Sequence, residues 1–329
     1  MNLNFRSDNE SPAAEAIMTA VLEANRGAAW AYADDTHSAR LDAAFSEVFE
    51  TDTIVLPVST GTVANSIALA ATTPPWGAVY CQEHAHIYND EGGAPEFFGN
   101  GMRLVPVAGD HGRMDPQKLE HALTSNTGHG VHSYEASALS LTQSTECGTV
   151  YPTDLVAALG ETARARGMAT HMDGARFGNA VVQLGCSPAD TTWRAGFEMS
   201  SFGASKKGCM AAEALLIYGR HELLARAERL RTRSGRLRST MRYVSARLLA
   251  YPEDERGLAM ARNATPPAAT FAAAVEAHEE AALVFPVVAN EVFVSWSPTG
   301  FARLVMPGLE FVMWPGRDDL ARFVFSHCT

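Results

Sequence analysis

Paired cysteines are missing from this sequence. The five present, Cys81, Cys147, Cys186, Cys209 and Cys328, are odd in number and widely scattered, with no C-x-x-C step and no zinc-type spacing. That excludes a disulfide framework and argues for reduced thiols in a cytoplasmic setting. Long apolar runs are missing as well: none reaches the length of a membrane span, and no apolar stretch follows a basic one after Met1, so neither a membrane anchor nor a secretory leader is expected. Positive charge is in deficit. The 26 Lys and Arg against 37 Asp and Glu leave a net charge of −11, a field that repels phosphate backbones and anionic lipid and so removes nucleic acid and membranes from the expected partners. The local arginine cluster between 226 and 242 reads as a solvated helix face or a subunit contact.

What is present is an ordinary globular composition, 47% hydrophobic and 19% charged over 329 residues, enough for a full α/β core. Ser11-Pro12 suits the start of a helix on which Ile17 and Val21, and Met18 and Leu22, recur at helical spacing. Short β-rich runs then alternate with helical ones, at residues 53–58, 78–81, 103–107, 138–142, 168–172 and 198–202. Helix starts fall between them at Asp115-Pro116 and Thr153-Asp154. Alternation of this kind predicts an α/β fold with a mostly parallel central sheet flanked by helices. From about Arg220 the chain reads as long, helical and basic, crosses Pro266-Pro267, enters an alanine-rich helix at 268–282, and ends in strand-like segments at 292–296 and 320–325. The organisation expected is an N-terminal arm and large domain over 1–235 and a smaller α/β domain over 236–329.

Three segments carry candidate chemistry. Ser59-Thr60-Gly61-Thr62 lies where a strand gives way to a helix, and the free N–H groups and hydroxyls there can cradle a phosphate; alone, it reads more readily as an ordinary helix cap. Asp173-Gly174-Ala175-Arg176 follows an apolar strand at the sheet edge where ligands of open α/β sheets bind. An aspartate there can keep the pyridine nitrogen of pyridoxal phosphate protonated, and Arg176 can grip a carboxylate, although the segment also reads as a turn with a surface arginine. Lys206 sits on the small-residue loop Gly203-Ala204-Ser205 with Lys207 beside it. The pair is either a solvated surface charge or an amine open to an aldehyde cofactor, with the second cation favouring the neutral form. His84-x-His86 lacks a third ligand of suitable spacing, so no metal is expected.

Order and spacing join these segments, and together they resemble the fold type I pyridoxal-phosphate enzymes, in particular the low-specificity L-threonine aldolases of the β-eliminating lyase group, over nearly the whole chain. Arg6-Ser7-Asp8 is similar to the N-terminal element of that family, and Tyr32-Ala33-Asp34-Asp35 to a segment that reaches a neighbouring subunit's site. Ala85-His86-Ile87-Tyr88, followed by Glu91 and Gly93, resembles the segment whose histidine stacks on the cofactor. Asp173 and Arg176 match the family's Asp-Gly-Ala-Arg, Lys206 the lysine that carries the cofactor, Arg322 a second carboxylate-binding arginine, and Arg242 an arginine near the phosphate.

The resemblance implies catalytic roles for Lys206, His86 and Asp173. It implies cofactor binding by Thr60, Gly61, Thr62, His86, Asp173, Arg176, Lys206 and Arg242, and substrate binding by Ser7, Tyr32, Arg176 and Arg322. It further implies an amino-acid substrate, an aldehyde product and a homodimer or homotetramer with shared sites. His86 is the expected acceptor of the substrate's hydroxyl proton. The sequence departs from the family pattern at Ala33, at Lys207, and at Thr142-Gln143-Ser144-Thr145-Glu146, where some members place a second histidine. It also ends at Thr329, soon after Arg322, so a trimmed or unusual small domain is expected. Two alternatives share these residues: an amino-acid racemase or β-eliminating lyase built on the same constellation, and a non-catalytic binding protein of the same fold.

Overall fold

The computed structural model describes residues 3–125, 130–298, 300 and 308–329. A short strand β1 (Leu3–Asn4) leads to helices α1 (Glu15–Ala24) and α2 (Leu41–Phe49). The central sheet follows: β2 (Thr53–Val58), β3 (Gly77–Gln82), β4 (Arg103–Val107), β5 (Glu135–Thr142), β6 (Ala169–Gly174), β7 (Met199–Gly203) and β8 (Glu213–Tyr218). Its spatial order is β2-β8-β7-β6-β5-β3-β4, parallel throughout except that β8 runs antiparallel to β2 and β7. The expected mostly parallel α/β sheet is therefore observed.

Crossovers between the strands are α3 (Gly61–Thr72), α4 (His86–Asn89), α5 (Ala94–Phe98), α6 (Pro116–Ser125), α7 (Thr153–Arg164) and α8 (Phe177–Leu184). Both faces of the sheet are covered, so β2, β3 and β8 are buried at every position, as expected of strands in a doubly covered sheet. Alternation sorts β8: Ala214, Leu216 and Tyr218 enter one core with Phe45, Phe49 and Phe202, while Leu215 and Ile217 enter the other with Ile54, Val63 and Ile67.

Local signals explain several helix starts. Asp115 accepts the N–H groups of Gln117 (2.8 Å) and Lys118 (2.9 Å) at the start of α6, and Thr60 accepts that of Val63 (3.4 Å) at the start of α3, satisfying donors that lack a helical partner. Helix α3 is buried on more than one side, from Val63 through Ala71 without a break, because α5 and α9 (Leu224–Arg233) close over it. In α1, by contrast, Ile17 is buried but Met18 and Leu22 are exposed.

Helix α10 (Arg242–Ala250) packs back onto α1, α2 and β2. The long helix α11 (Arg256–Glu276) then runs straight through Pro266 and Pro267. The alanine-rich pattern predicts a helix over 268–282; instead the helix spans both prolines and ends at Glu276, and residues 281–283 form strand β9 (Ala281–Leu283). The buried stripe of α11, Met260, Ala261, Ala264, Ala268, Ala272 and Val275, passes the prolines without losing phase, and burial of that stripe overrides the two lost backbone donors. Strands β9, β10 (Glu291–Trp296), β12 (Val312–Met313) and β13 (Leu320–Val324) form a second, antiparallel sheet in the order β12-β13-β10-β9, while β11 (Leu309–Glu310) pairs with β1. Among the described residues, no helix is long and apolar enough to cross a membrane.

Candidate active site

The carboxyl ends of β5, β6 and β7 and the first turn of α3 open on one cleft of about 470 Å³. Two glycines let these ends converge. A Cβ on Gly174 would stand 2.4 Å from the Ser201 carbonyl oxygen, and one on Gly203 would stand 2.6 Å from that of Ala175, so the loops carrying Arg176 and Lys206 approach only because both positions lack a side chain. Thr60, Gly61, Thr62, His86, Asp173, Arg176 and Lys206 all line this cleft.

Asp173 closes β6 and is buried. Its Oδ2 accepts from Asn65 Nδ2 (2.9 Å), and its Oδ1 from the Ala175 N–H (3.0 Å) and Ser201 Oγ (3.2 Å). Burial alone would raise its pKa, but His86, His171, the Ala175 N–H and Lys206 overcome that and hold the carboxyl below the ordinary range. Asn65 also donates to Glu91 Oε1 (2.8 Å), which lies 2.9 Å from His86 Nδ1. That bond to Glu91 raises His86 to about 9 against its burial. The Glu91 carboxylate thus favours the imidazolium form of His86 over the neutral base expected from sequence. Ligand atoms of His86, Glu91 and Asp173 lie within 4.8 Å of one another, a spacing already explained by the hydrogen-bonded chain through Asn65.

Lys206 has no hydrogen-bonded partner among the described residues and faces the cleft, whereas Lys207 points into the protein and donates to the carbonyl oxygens of Gly203 (2.8 Å) and Ala175 (3.0 Å). Burial lowers the Lys207 pKa. Arg176 lines the cleft but is already held: Nε and Nη2 donate to Asp8 at 2.9 and 3.0 Å, and Nη1 lies 3.2 Å from Glu291. Its burial opposes the charge, and Asp8 and Glu291 outweigh that.

Arg322 lies 3.6 Å from Glu291 and does not line the cleft. The two arginines thus meet at one buried carboxylate. Ser7 caps the short turn Asp8–Glu10 by accepting the Asn9 N–H (3.1 Å); its neighbours Asn9 and Ser11, not Ser7, line the cleft. Tyr32 and Arg242 are not brought to the cleft of their own chain. Tyr32 is exposed, and Arg242 donates to the Gly27 carbonyl oxygen (3.1 Å) and stacks on Tyr243. Near the phosphate-type loop stands a different arginine, Arg236, whose Nη1 is 3.4 Å from Ser59 Oγ.

Sequence reasoning assigned no role to Asn65, Glu146, Glu213, Arg236, Asp8 or Glu291. Asn65 was legible in principle, one helical turn beyond Gly61 on the helix that opens at the cleft. Glu291 is brought in by the second sheet, and no local pattern marks it. The Arg176–Glu291–Arg322 contact carries an expectation. Arg322→Ala should raise the KM for amino acids roughly tenfold or more, the effect of a charged hydrogen bond of about 1.5–3 kcal/mol. Steady-state kinetics with an unchanged KM would remove Arg322 from carboxylate recognition.

An open sheet with a single antiparallel strand, and a lysine, an aspartate and an amide-rich helix start gathered at its carboxyl edge, define the architecture of the fold type I pyridoxal-phosphate enzymes. The chain belongs to the beta-eliminating lyase family, whose sequence profile matches residues 4–297. It is 38% identical to a low specificity L-threonine aldolase of Pseudomonas aeruginosa over 98% of this chain and 92% of that one. A second such aldolase, from a Pseudomonas species, is 36% identical over the same shares. The solved structure of Leishmania major threonine aldolase superposes with a TM-score of 0.92 at 25% identity, covering 99% of this chain and 95% of that one.

Proposed function

We propose that this chain is a pyridoxal-phosphate-dependent aldolase that splits L-threonine, L-allo-threonine or another β-hydroxy-α-amino acid, phenylserine included, between Cα and Cβ into glycine and an aldehyde. The observation that carries the reading is that an unpartnered lysine, an ionised aspartate and a phosphate-type helix start share one cleft, in a chain so similar over its length to threonine aldolases.

The residues fit the cofactor. The start of α3 offers the free N–H groups of its first turn beside the Thr60 and Thr62 hydroxyls, and the space where a Cβ of Gly61 would stand is open. Ser144 Oγ is buried at the cleft without a partner, and Asp173 presents a carboxylate at the far end. Thr60, Gly61 and Thr62 would hold the phosphate, with Arg236 adding charge through the Ser59 side. Lys206 would hold the cofactor through its aldehyde carbon.

When bound, the group supplies an electron sink for the pair left on Cα. Asp173 would keep the ring nitrogen protonated. His86, held cationic by Glu91, would lie against the ring. Arg176 and Arg322, assisted by Ser7, would orient the substrate carboxylate, and that orientation decides which bond at Cα is broken.

The working unit in this proposal is a homodimer or homotetramer in which Tyr32 and Arg242 complete a neighbour's cleft. In support, Trp30 is 81% and Leu22 66% exposed on the same N-terminal stretch as Tyr32, apolar area that a lone chain gains nothing by showing to water. The five cysteines are free, three of them buried, which suits a cytoplasmic enzyme. The proposed organisation is a large unit over 1–235 and a smaller one over 236–329, whose first helix, α10, packs on the large unit.

The test is an aldehyde-release assay over threonine, allo-threonine and phenylserine with glycine measured in parallel. Equal yields of glycine and aldehyde are expected from at least one substrate, and no aldehyde from any of the three would overturn the reading.

A further inference from the structure

Four carboxylates line the cleft: Glu91, Glu146, Asp173 and Glu213. Three are committed to neighbours. Glu91 takes Asn65 and His86, Asp173 takes three donors, and Glu213 takes the Ser205 N–H at 3.3 Å. Glu146 makes no hydrogen bond and no ion pair among the described residues. The turn that carries it is nevertheless fixed. The Gln143 N–H donates to the Asp173 carbonyl oxygen (2.8 Å), and the Gln143 side chain spans the backbone of Tyr151 with two bonds of 3.0 Å. Thr145 is tied to Thr149 through its N–H (2.9 Å) and its hydroxyl (2.8 Å). On the far side, a Cβ on Gly148 would stand 2.9 Å from the Glu291 carbonyl oxygen, so the turn cannot retreat from the cleft. A carboxylate carried into a cleft on a fixed turn, with no structural partner among the described residues, is available for chemistry.

We propose that Glu146 is the catalytic base that takes the β-hydroxyl proton, which rests on the aldolase reading above. In that step the hydroxyl proton passes to a Glu146 oxygen, the O–H electron pair becomes the second bond of the aldehyde carbonyl, and the Cα–Cβ bond breaks with its pair left on Cα. One proton leaves oxygen and one is gained at Cα, so threonine divides into glycine and acetaldehyde with no co-reactant.

The electrostatics favour Glu146 over His86. Burial raises the Glu146 pKa to about 7, with Asp173 and Glu291 adding to the rise and His86 and Lys206 opposing it; Arg176 also feels its charge. A base with a pKa near the working pH suits proton transfer, whereas His86, held at about 9, already carries its proton.

The test compares Glu146→Gln and Glu146→Asp with the wild type in three measurements. Aldehyde release should fall about 10²–10⁴-fold in the Gln variant, with partial recovery in Asp. Exchange of the glycine α-proton in D₂O, which involves no hydroxyl, should stay within about threefold. In the cofactor-free protein, infrared difference spectra should show a carboxylic-acid band that titrates near pH 7 and vanishes in Glu146→Gln; subtraction isolates it from Glu213, which burial also raises.

In the wild type, kcat/KM for aldehyde release should rise through about pH 7 as Glu146 ionises, and that limb should be lost in the Gln variant. Aldehyde release within threefold of wild type in Glu146→Gln, equal losses of release and exchange, or the absence of the titrating band would each overturn the proposal. A wild type that exchanges glycine but releases no aldehyde from any substrate would instead overturn the aldolase reading, and this role with it.

Discussion

Lys206→Ala is expected to lower turnover by ~10⁴-fold or more, because among the described residues no other amine lines the cleft to take the cofactor-holding role proposed for it. The long-wavelength absorbance of lysine-bound cofactor should disappear with it. Lys207→Met is the matched control. The Lys207 amine points away from the cleft, into bonds with the Ala175 and Gly203 carbonyl oxygens, and its stem packs under Gly178, where a Cβ would stand 3.0 Å from Lys207 Cε. That variant should keep its absorbance while losing about 1–3 kcal/mol of stability from one buried and one half-buried carbonyl left without their donor, read as a lower urea midpoint. Normal turnover in Lys206→Ala, or loss of absorbance in Lys207→Met alone, would exchange the roles of the two lysines.

The second large effect is expected from Asp173→Asn. Three donors converge on the Asp173 carboxylate, and the surrounding charges hold it ionised despite burial. An amide in its place carries no charge to keep the ring nitrogen protonated. It must also turn an NH₂ group toward at least one existing donor. Turnover should fall by about 10²–10³-fold, the scale on which loss of one preorganised electrostatic partner acts. The fold should persist, since Asn65 and Ser201 can reorient, and circular dichroism should match the wild type. A kcat within a few-fold of wild type would separate Asp173 from the chemistry.

Legibility in the sequence followed the range of the forces involved. Strands β2 and β4 were read with the bounds observed, since continuous apolar runs bounded by turn signals are local patterns. Strand β8 was not read. Glu213, Ala214, Leu215 and Leu216 are good helix formers, and only the gap between β2 and β7 makes them a strand. The helix through Pro266 and Pro267 was missed for the same reason in reverse, because a local penalty is outweighed by a stripe buried against the rest of the chain.

The same division runs through the site. The sequence by itself determined the groups that sit at the ends of strands, Thr60 to Thr62, Asp173, Arg176 and Lys206, because the carboxyl edge of a parallel sheet gathers whatever follows its strands. It also determined the family, through the order in which those groups occur. Only the tertiary structure decided the states and partners of these groups. Packing turned Lys207 inward and Lys206 outward. The Asn65–Glu91 chain made His86 a cation, and burial without a partner brought Glu146 toward neutral pH. The second sheet carried Glu291 to both arginines. Burial and long-range charge act through space between residues far apart in the chain, and no local window of sequence records them.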